Sequence, residues 1–430
     1  NMKMSKTTFI NAILIDPKSN TLTNGSLTIE DGFIDKINGP SKGNIIDCKN
    51  KYLAPGVIDL GVHICEPGER HKESFKSASM AAASGGVTSI VTFPNTIPVI
   101  DNPELLEFFM KRARESSKVR ILPTAAITKK VEGKEISELS FLQDAGAIAF
   151  TNGLKTIKDP KILLRALNYA SSLQSLFIGH CEDYYLSNKV SATSSLFSTK
   201  MGLSSAPRET ELMGLERDTL LSDLAKVNYH AAQITTKKSF LKIKELKSKK
   251  NNISAGISIH HLLFDESYIE NYRTFFKLRP PLRSISDKEF ILKNIKDDTI
   301  DTSSSFHLPQ DEESKRLPYE KAAFGAIGLQ TLLPACLKLV HDKILDLPSL
   351  FKKISLNPAK LLNLKSGILK EDYPADLILF DPDKPFTVDR FKLLSKAKNT
   401  PFDGYKLYGE VLKTFVKGNE IYKSRNTIDT

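Results

Sequence analysis

Eight short apolar runs, at residues 57–63, 89–94, 120–127, 147–151, 176–181, 227–233, 253–260 and 299–304, alternate with longer stretches of helical pattern. Alternating β and α segments pack as a parallel sheet with helices laid against it, so this rhythm constrains the fold more than any single motif. Eight such units make a closed (β/α)8 barrel, an α/β fold, and 430 residues leave room for something added. Two of the helical stretches are plain. Residues 160–172 open on a proline. Residues 207–226 follow Ser204-Ser205 and carry Glu209 and Glu211 early, where carboxylates favour the helix dipole. Outside the barrel, residues 9–16, 26–30 and 33–37 read as strands, the last two joined by the Asp31-Gly32 turn. Residues 375–382, 411–416 and 420–422 answer them at the other end. The two ends therefore predict one small β-sandwich domain, residues 1–54 with 365–430, beside a barrel of residues 55–364.

Composition removes several function classes. No run approaches eighteen apolar residues, so no membrane-spanning helix is expected. The N-terminus lacks a charged-then-apolar signal pattern, and Asn1 ahead of Met2 reads as a remnant of expression. Cys48, Cys65, Cys181 and Cys336 lie far apart with no C-x-x-C pair, which predicts a reduced, cytoplasmic protein without a cysteine zinc site. The net charge of +11 and a pI near 9.2 raise the question of nucleic acid. However, the densest basic run, residues 242–250, alternates with apolar positions at helical spacing and reads as a solvated helix face. Neither a nucleic acid nor a membrane is expected as a partner.

In such barrels chemistry sits at the C-terminal ends of the strands. Those ends carry Gly61 and His63, Pro94-Asn95, Ala126, Thr151-Asn152, His180, Gln233, His260 and Ser303. The first strand runs through Ala54-Pro55-Gly56-Val57-Ile58-Asp59-Leu60-Gly61-Val62-His63 to Glu66-Pro67-Gly68, and alternation puts Asp59, Gly61 and His63 on one face. This phrase resembles the opening strand of the amidohydrolase superfamily, and further phrases resemble dihydroorotases of the bacterial and multifunctional type. Among them are Phe93-Pro94-Asn95-Thr96, His180-Cys181-Glu182-Asp183, Ile234-Thr235-Thr236, Pro280-Pro281-Leu282-Arg283 and Gly325-Ala326-Ile327-Gly328-Leu329-Gln330-Thr331. They keep the family's order from about residue 54 to residue 331.

The resemblance implies a zinc site whose ligand positions fall on Gly61, His63, Asn152, His180, Gln233 and Ser303. Only His63 and His180 keep a ligating side chain. Ser303 stands where the family has its general base, so no catalytic residue is expected. The substrate-side positions fall on Asn95, Cys65, Arg279 and His307, of which Asn95 and His307 match and Cys65 and Arg279 depart. A catalytic zinc wants three well-placed protein ligands. His230 lies three residues before Gln233 and points to the other face; Asp301 shares the face of Ser303 but lies deeper; Lys155 sits well past its strand. His63 and His180 either tie barrel strands by hydrogen bonds or keep residual metal affinity. One of His260 and His261 reads as a core histidine. Cys65 could be a nucleophile only beside an oriented base.

Three functions follow from the resemblance. The first is a dihydroorotase-like protein of pyrimidine biosynthesis with a degenerate site and no cofactor, acting as a structural partner of aspartate transcarbamoylase, as some inactive family members do. The second is an active cyclic amidohydrolase with a rearranged mononuclear zinc site. The third is a binding module that holds a small ligand through Asn95, Arg279 and His307. A homo-oligomer is compatible with all three.

Overall fold

The computed structural model describes residues 5–426, so Asn1 and Met2 lie outside the described residues. Eight parallel strands form one sheet in chain order: Val57–Val62, Val87–Thr92, Arg120–Ala126, Ala149–Thr151, Leu176–Gly179, Asn228–Ala231, Ile253–Ser258 and Thr302–Ser304. First and last strands meet just past the eighth: His63 N donates to His307 O at 2.9 Å, and His307 N donates to Gly61 O at 3.0 Å. The ring closes there. Every residue of Val57–Val62 is buried, as an apolar run covered on both faces must be.

Several sequence boundaries shift, each for a local reason. The seventh strand stops at Ser258 because the Ser258 hydroxyl accepts from His260 N and caps a short helix, Ile259–Leu263. His260 and His261 thus sit on that helix and not on a strand end. The eighth strand begins only at Thr302. The carboxylate of Asp301 turns to Lys247 at 2.6 Å and to Ala255 N at 2.8 Å, toward the helix Lys237–Lys249, and does not share the barrel interior. The sixth strand ends at Ala231, so Gln233 lies beyond it. The helix Pro160–Ser172 forms as the sequence predicts, with Pro160 at its first turn and the Asp159 carboxylate accepting from Lys161 N.

The helix Glu209–Ala225 corrects one expectation. Glu209 stays near solvent, but Glu211 is buried and accepts from Thr235 N at 2.9 Å and Thr236 N at 3.0 Å, with Arg283 at 3.5 Å. It ties a helix to a loop and does more than serve the dipole.

Both chain ends share a second eight-stranded sheet. Tyr52–Pro55, just ahead of the barrel, pairs parallel with Lys6–Asp16 and antiparallel with Leu377–Thr387. Asp31 and Gly32 both have positive φ, 53° and 85°, as a tight hairpin between Thr21–Glu30 and Phe33–Ile37 requires. Phe9 and Phe415 lie three strands apart along this sheet, about 14 Å if it were flat. Their ring centroids are 5.2 Å apart, so the sheet folds over a core that includes Leu27, Leu53 and Leu377. Arg120 on the third barrel strand reaches across to Asp376 at 2.6 Å and fastens the two parts.

Candidate active site at the barrel mouth

Gly61 is packed tight. A Cβ placed on it would lie 2.8 Å from Phe306 Cδ1 and 3.1 Å from Phe93 Cε2, inside the contact distance of carbon atoms. The two phenyl rings therefore occupy the space into which a side chain at this position would project. His63 stacks on Phe93 with centroids 4.5 Å apart and 22° between planes. Burial, with His307 nearby, pushes the His63 imidazole down to about 3, so it stays neutral.

The other ligand positions differ in how firmly they are engaged, and His180 Nδ1 is buried without a hydrogen-bond partner among the described residues. The Asn152 oxygen accepts from Thr128 Oγ1 at 2.6 Å, and its nitrogen donates to Val131 O at 3.2 Å and Lys155 O at 3.1 Å. That amide staples loops together. Gly153, with φ +67°, would bring a Cβ to 1.8 Å from Asn95 Oδ1, so no side chain fits there. His180 Nε2 pairs with Glu182 Oε2 at 2.7 Å, and the same oxygen accepts from Arg279 at 3.0 Å. Burial works to raise the Glu182 carboxyl, but His180 and Arg279 overcome it and hold it at about 2. Gln233 Nε2 donates to Arg279 O at 3.5 Å, the limit of a hydrogen bond. Ser303 Oγ lies 3.7 Å from Cys336 Sγ, a weak contact.

These residues do not fit the zinc the family resemblance implies. Among the described residues, no three His, Cys, Asp or Glu side chains converge where one ion could meet them all. His63 and His180 border different cavities, of about 20 and 10 Å³ respectively. The first also touches Gln233, His260, His261 and Arg279, yet it holds little more than one water. Small-molecule sites usually offer at least 300 Å³. Two of the rescue ligands considered from the sequence are engaged elsewhere: His230 bonds Ser254 Oγ at 2.7 Å and Asp301 is taken by Lys247. Lys155 is exposed and borders the small cavity beside His180.

Of the substrate-side positions, His307 and Cys65 are buried, whereas Asn95 and Arg279 are partly exposed. His307 is wholly buried: its Nε2 donates to Glu73 at 2.9 Å, while its Nδ1 accepts from Gly328 N at 2.9 Å and Leu329 N at 3.3 Å. Neither nitrogen is left for a ligand. Arg279 is committed to Glu182, and the Asn95 amide faces Gly153 and Asn152 O. Cys65 sits buried at φ +68°; burial, helped by Glu69 and Glu73, pushes its thiol up to about 12. It is no nucleophile near neutral pH, and the sequence option of Cys-His chemistry closes. Glu66, two residues before Gly68, accepts from Phe75 N at 2.6 Å and pairs with Arg112 at 3.2 Å, anchoring the helix Phe75–Ser84.

Sequence reading missed Phe306, Glu73 and Glu182. Phe306 stands beside His307, 245 positions from Gly61, and letters at that separation carry no sign of contact. Glu182 was visible in His180-Cys181-Glu182-Asp183, where the spacing of two could have suggested an ion pair.

The fold defines the class: a (β/α)8 barrel carrying a split β domain. The L-hydantoinase (dihydropyrimidinase) of Arthrobacter aurescens superposes with a TM-score of 0.89 over 98% of this chain and 97% of that one, at 23% identity. Sequence narrows the class. Residues 50–239 match the family described as Dihydro-orotase-like. The chain is 36% identical to the dihydroorotase of Syntrophus aciditrophicus over 95% of its own length and 97% of the relative's. It is 38% identical to that of Thermoanaerobacter over 91% and 90%. The chain belongs to the dihydroorotase family.

Proposed function

We propose that this chain is a dihydroorotase-family protein of pyrimidine biosynthesis that does not turn over dihydroorotate alone, and that it serves as a structural partner of its organism's aspartate transcarbamoylase. The observation that carries the first half is the filled space at Gly61, where Phe306 and Phe93 stand against the backbone of the first strand. Activated water, proton transfer and substrate orientation each need their own groups. Ser303 lacks a usable pKa for the proton, and His307 and Arg279 are tied to Glu73 and Glu182. Four free, buried cysteines suit a cytoplasmic setting.

The partner half rests on family membership together with a closed mouth and an intact barrel. Where chemistry is lost, surface is what remains to be kept. Purified protein, with and without added zinc, is expected to show no hydrolysis of dihydroorotate and no cyclisation of carbamoyl-aspartate. Turnover that disappears in His63→Ala or His180→Ala would overturn the reading. Co-expression with the organism's transcarbamoylase is expected to give one co-eluting complex, since specific interfaces bury on the order of 1,600 Å². Separate elution at micromolar concentration, with transcarbamoylase stability unchanged, would remove the partner half alone.

A further inference from the structure

Two buried lysines cross between loops at the barrel mouth. Lys277 follows the seventh strand and Lys315, on the short helix Glu312–Arg316, follows the eighth; they are 8 and 4% exposed. Each reaches into the other's loop. Lys277 Nζ donates to Tyr319 O at 2.9 Å, Glu320 O at 3.1 Å and Ala322 O at 2.7 Å. Lys315 Nζ donates to Thr274 O at 2.9 Å and Lys277 O at 3.4 Å. Thr274 Oγ1 donates to Lys315 O, and Gly325 N to Lys277 O at 2.9 Å, which completes the crossing. The joint borders the cavity beside His63: Leu278 and Arg279 line it on one side, Gly325 and Ala326 on the other. A third loop joins through Glu320, whose carboxylate accepts from Ser204 N at 2.8 Å and Ser191 Oγ at 2.9 Å.

The acceptors of both ammonium groups are backbone carbonyls, and among the described residues no carboxylate pairs with either. A buried cation without a counter-ion holds its proton weakly, and a second cation beside it weakens the hold further. Lys277 is the charged group that faces Lys315, and together with burial it pushes Lys315 down to about 7. Burial lowers Lys277 as well, against Glu320, which works to raise it. The Tyr319 ring, 5.8 Å from Lys277 Nζ, stays neutral because burial pushes its hydroxyl well above the usual range. Other charges on these loops are paired elsewhere: Arg273 with Asp403 at 3.5 Å, Arg279 with Glu182 at 3.0 Å and Arg316 with Glu312 at 3.7 Å.

We infer that Lys277 and Lys315 form a latch across the barrel mouth that a proton loosens: with both ammonium groups charged the two loops part readily, and with Lys315 neutral they stay crossed. The direction follows from linkage. Closed, Lys315 takes up its proton only near pH 7; open, it is a solvated lysine with its ordinary value of 10.5. Between those limits the open form holds more protons, so acid favours opening and alkali favours closure. The latch is therefore weakest below pH 7 and firmer as pH rises towards 10. It acts whether or not the chain turns over a substrate.

Hydrogen exchange of residues 274–279 and 319–325, corrected for intrinsic rates, reads the opening. In the native chain the opening constant is expected to fall at least about 10-fold from pH 7 to pH 9. Lys315→Met should abolish that dependence. Lys315→Arg, charged at both pH values, should also abolish it and keep opening at its pH 7 level. Lys353→Met removes a second buried lysine, which donates to Ile300 O at 2.5 Å away from the mouth. It should leave the dependence of the mouth loops intact, which separates the latch from general alkaline stabilisation. Equal opening at pH 7 and pH 9 in the native chain, or a dependence that survives in Lys315→Met or Lys315→Arg, overturns the inference. So does a dependence that Lys353→Met removes.

Discussion

Gly61 and Phe306 show how two positions far apart in sequence shape one space. Gly61 has no side chain, and the Phe306 ring stands where a Cβ would project, so the backbone of the first strand packs closely against it. The consequence is measurable as coupling. Gly61→Ala alone should cost about 1–3 kcal/mol, since its methyl group overlaps the Phe306 ring, which must shift to admit it. Phe306→Ala should cost about 2–3 kcal/mol, at the low end for a phenylalanine because the ring is only half-buried. Combined, the two should cost clearly less than their sum, because the methyl group then enters vacated space. Urea unfolding of the four proteins decides it, and strict additivity would mean that the ring does not fill the glycine's space. The same residue-level logic covers His307. Its two nitrogens are spent on Glu73 and on backbone amides, so the ring acts as a strut and offers no free group.

Among the elements, the helix Glu209–Ala225 carries the sharpest contrast. Two glutamates of the same first turn have unlike surroundings. Glu209 pairs with Lys238 on the surface, with half-exposed partners on both sides. Replacing it with alanine should cost a few tenths of a kcal/mol, from the dipole and an exposed pair. Glu211→Ala should cost about 3–5 kcal/mol, since Arg283 would be left as a buried charge and Thr235 and Thr236 would lose their acceptor. Chemical denaturation of both variants tests this, and a loss under about 1 kcal/mol for Glu211→Ala would show that the network does not hold the loop. The short helix Ile259–Leu263 teaches the complementary lesson. Periodicity extends the seventh strand through His260, but one serine cap redirects the chain and carries both histidines with it.

For the whole molecule, the question is whether barrel and β sheet are separate units. Their packing says not. One hydrophobic core runs from Phe75, Leu106 and Phe150 of the barrel to Ile378, Phe380 and Val411 of the sheet. Thr414 Oγ1 donates to Ala83 O at 2.7 Å, and Arg120 binds Asp376 in a two-pronged pair. A shared core leaves neither part able to open alone without exposing the other. Calorimetry should therefore record a single cooperative transition, whereas two resolved transitions would show independent domains. Among the described residues, no helix is long and apolar enough to cross a membrane.

The strand count, the two β ends and the residues Gly61, Asn152, Gln233 and Ser303 near the strand ends were all legible in the sequence. Such properties are local: a period of two or 3.6, a turn dipeptide, the presence or absence of a donor atom. What surrounds those positions was not legible. Phe306 filling the space at Gly61, Glu182 holding both His180 and Arg279, and Glu73 taking His307 are contacts between distant positions. Only closure of the barrel brings those groups within a few ångströms. Distance and burial then decide whether a histidine is a ligand, a ring in a stack or a strut.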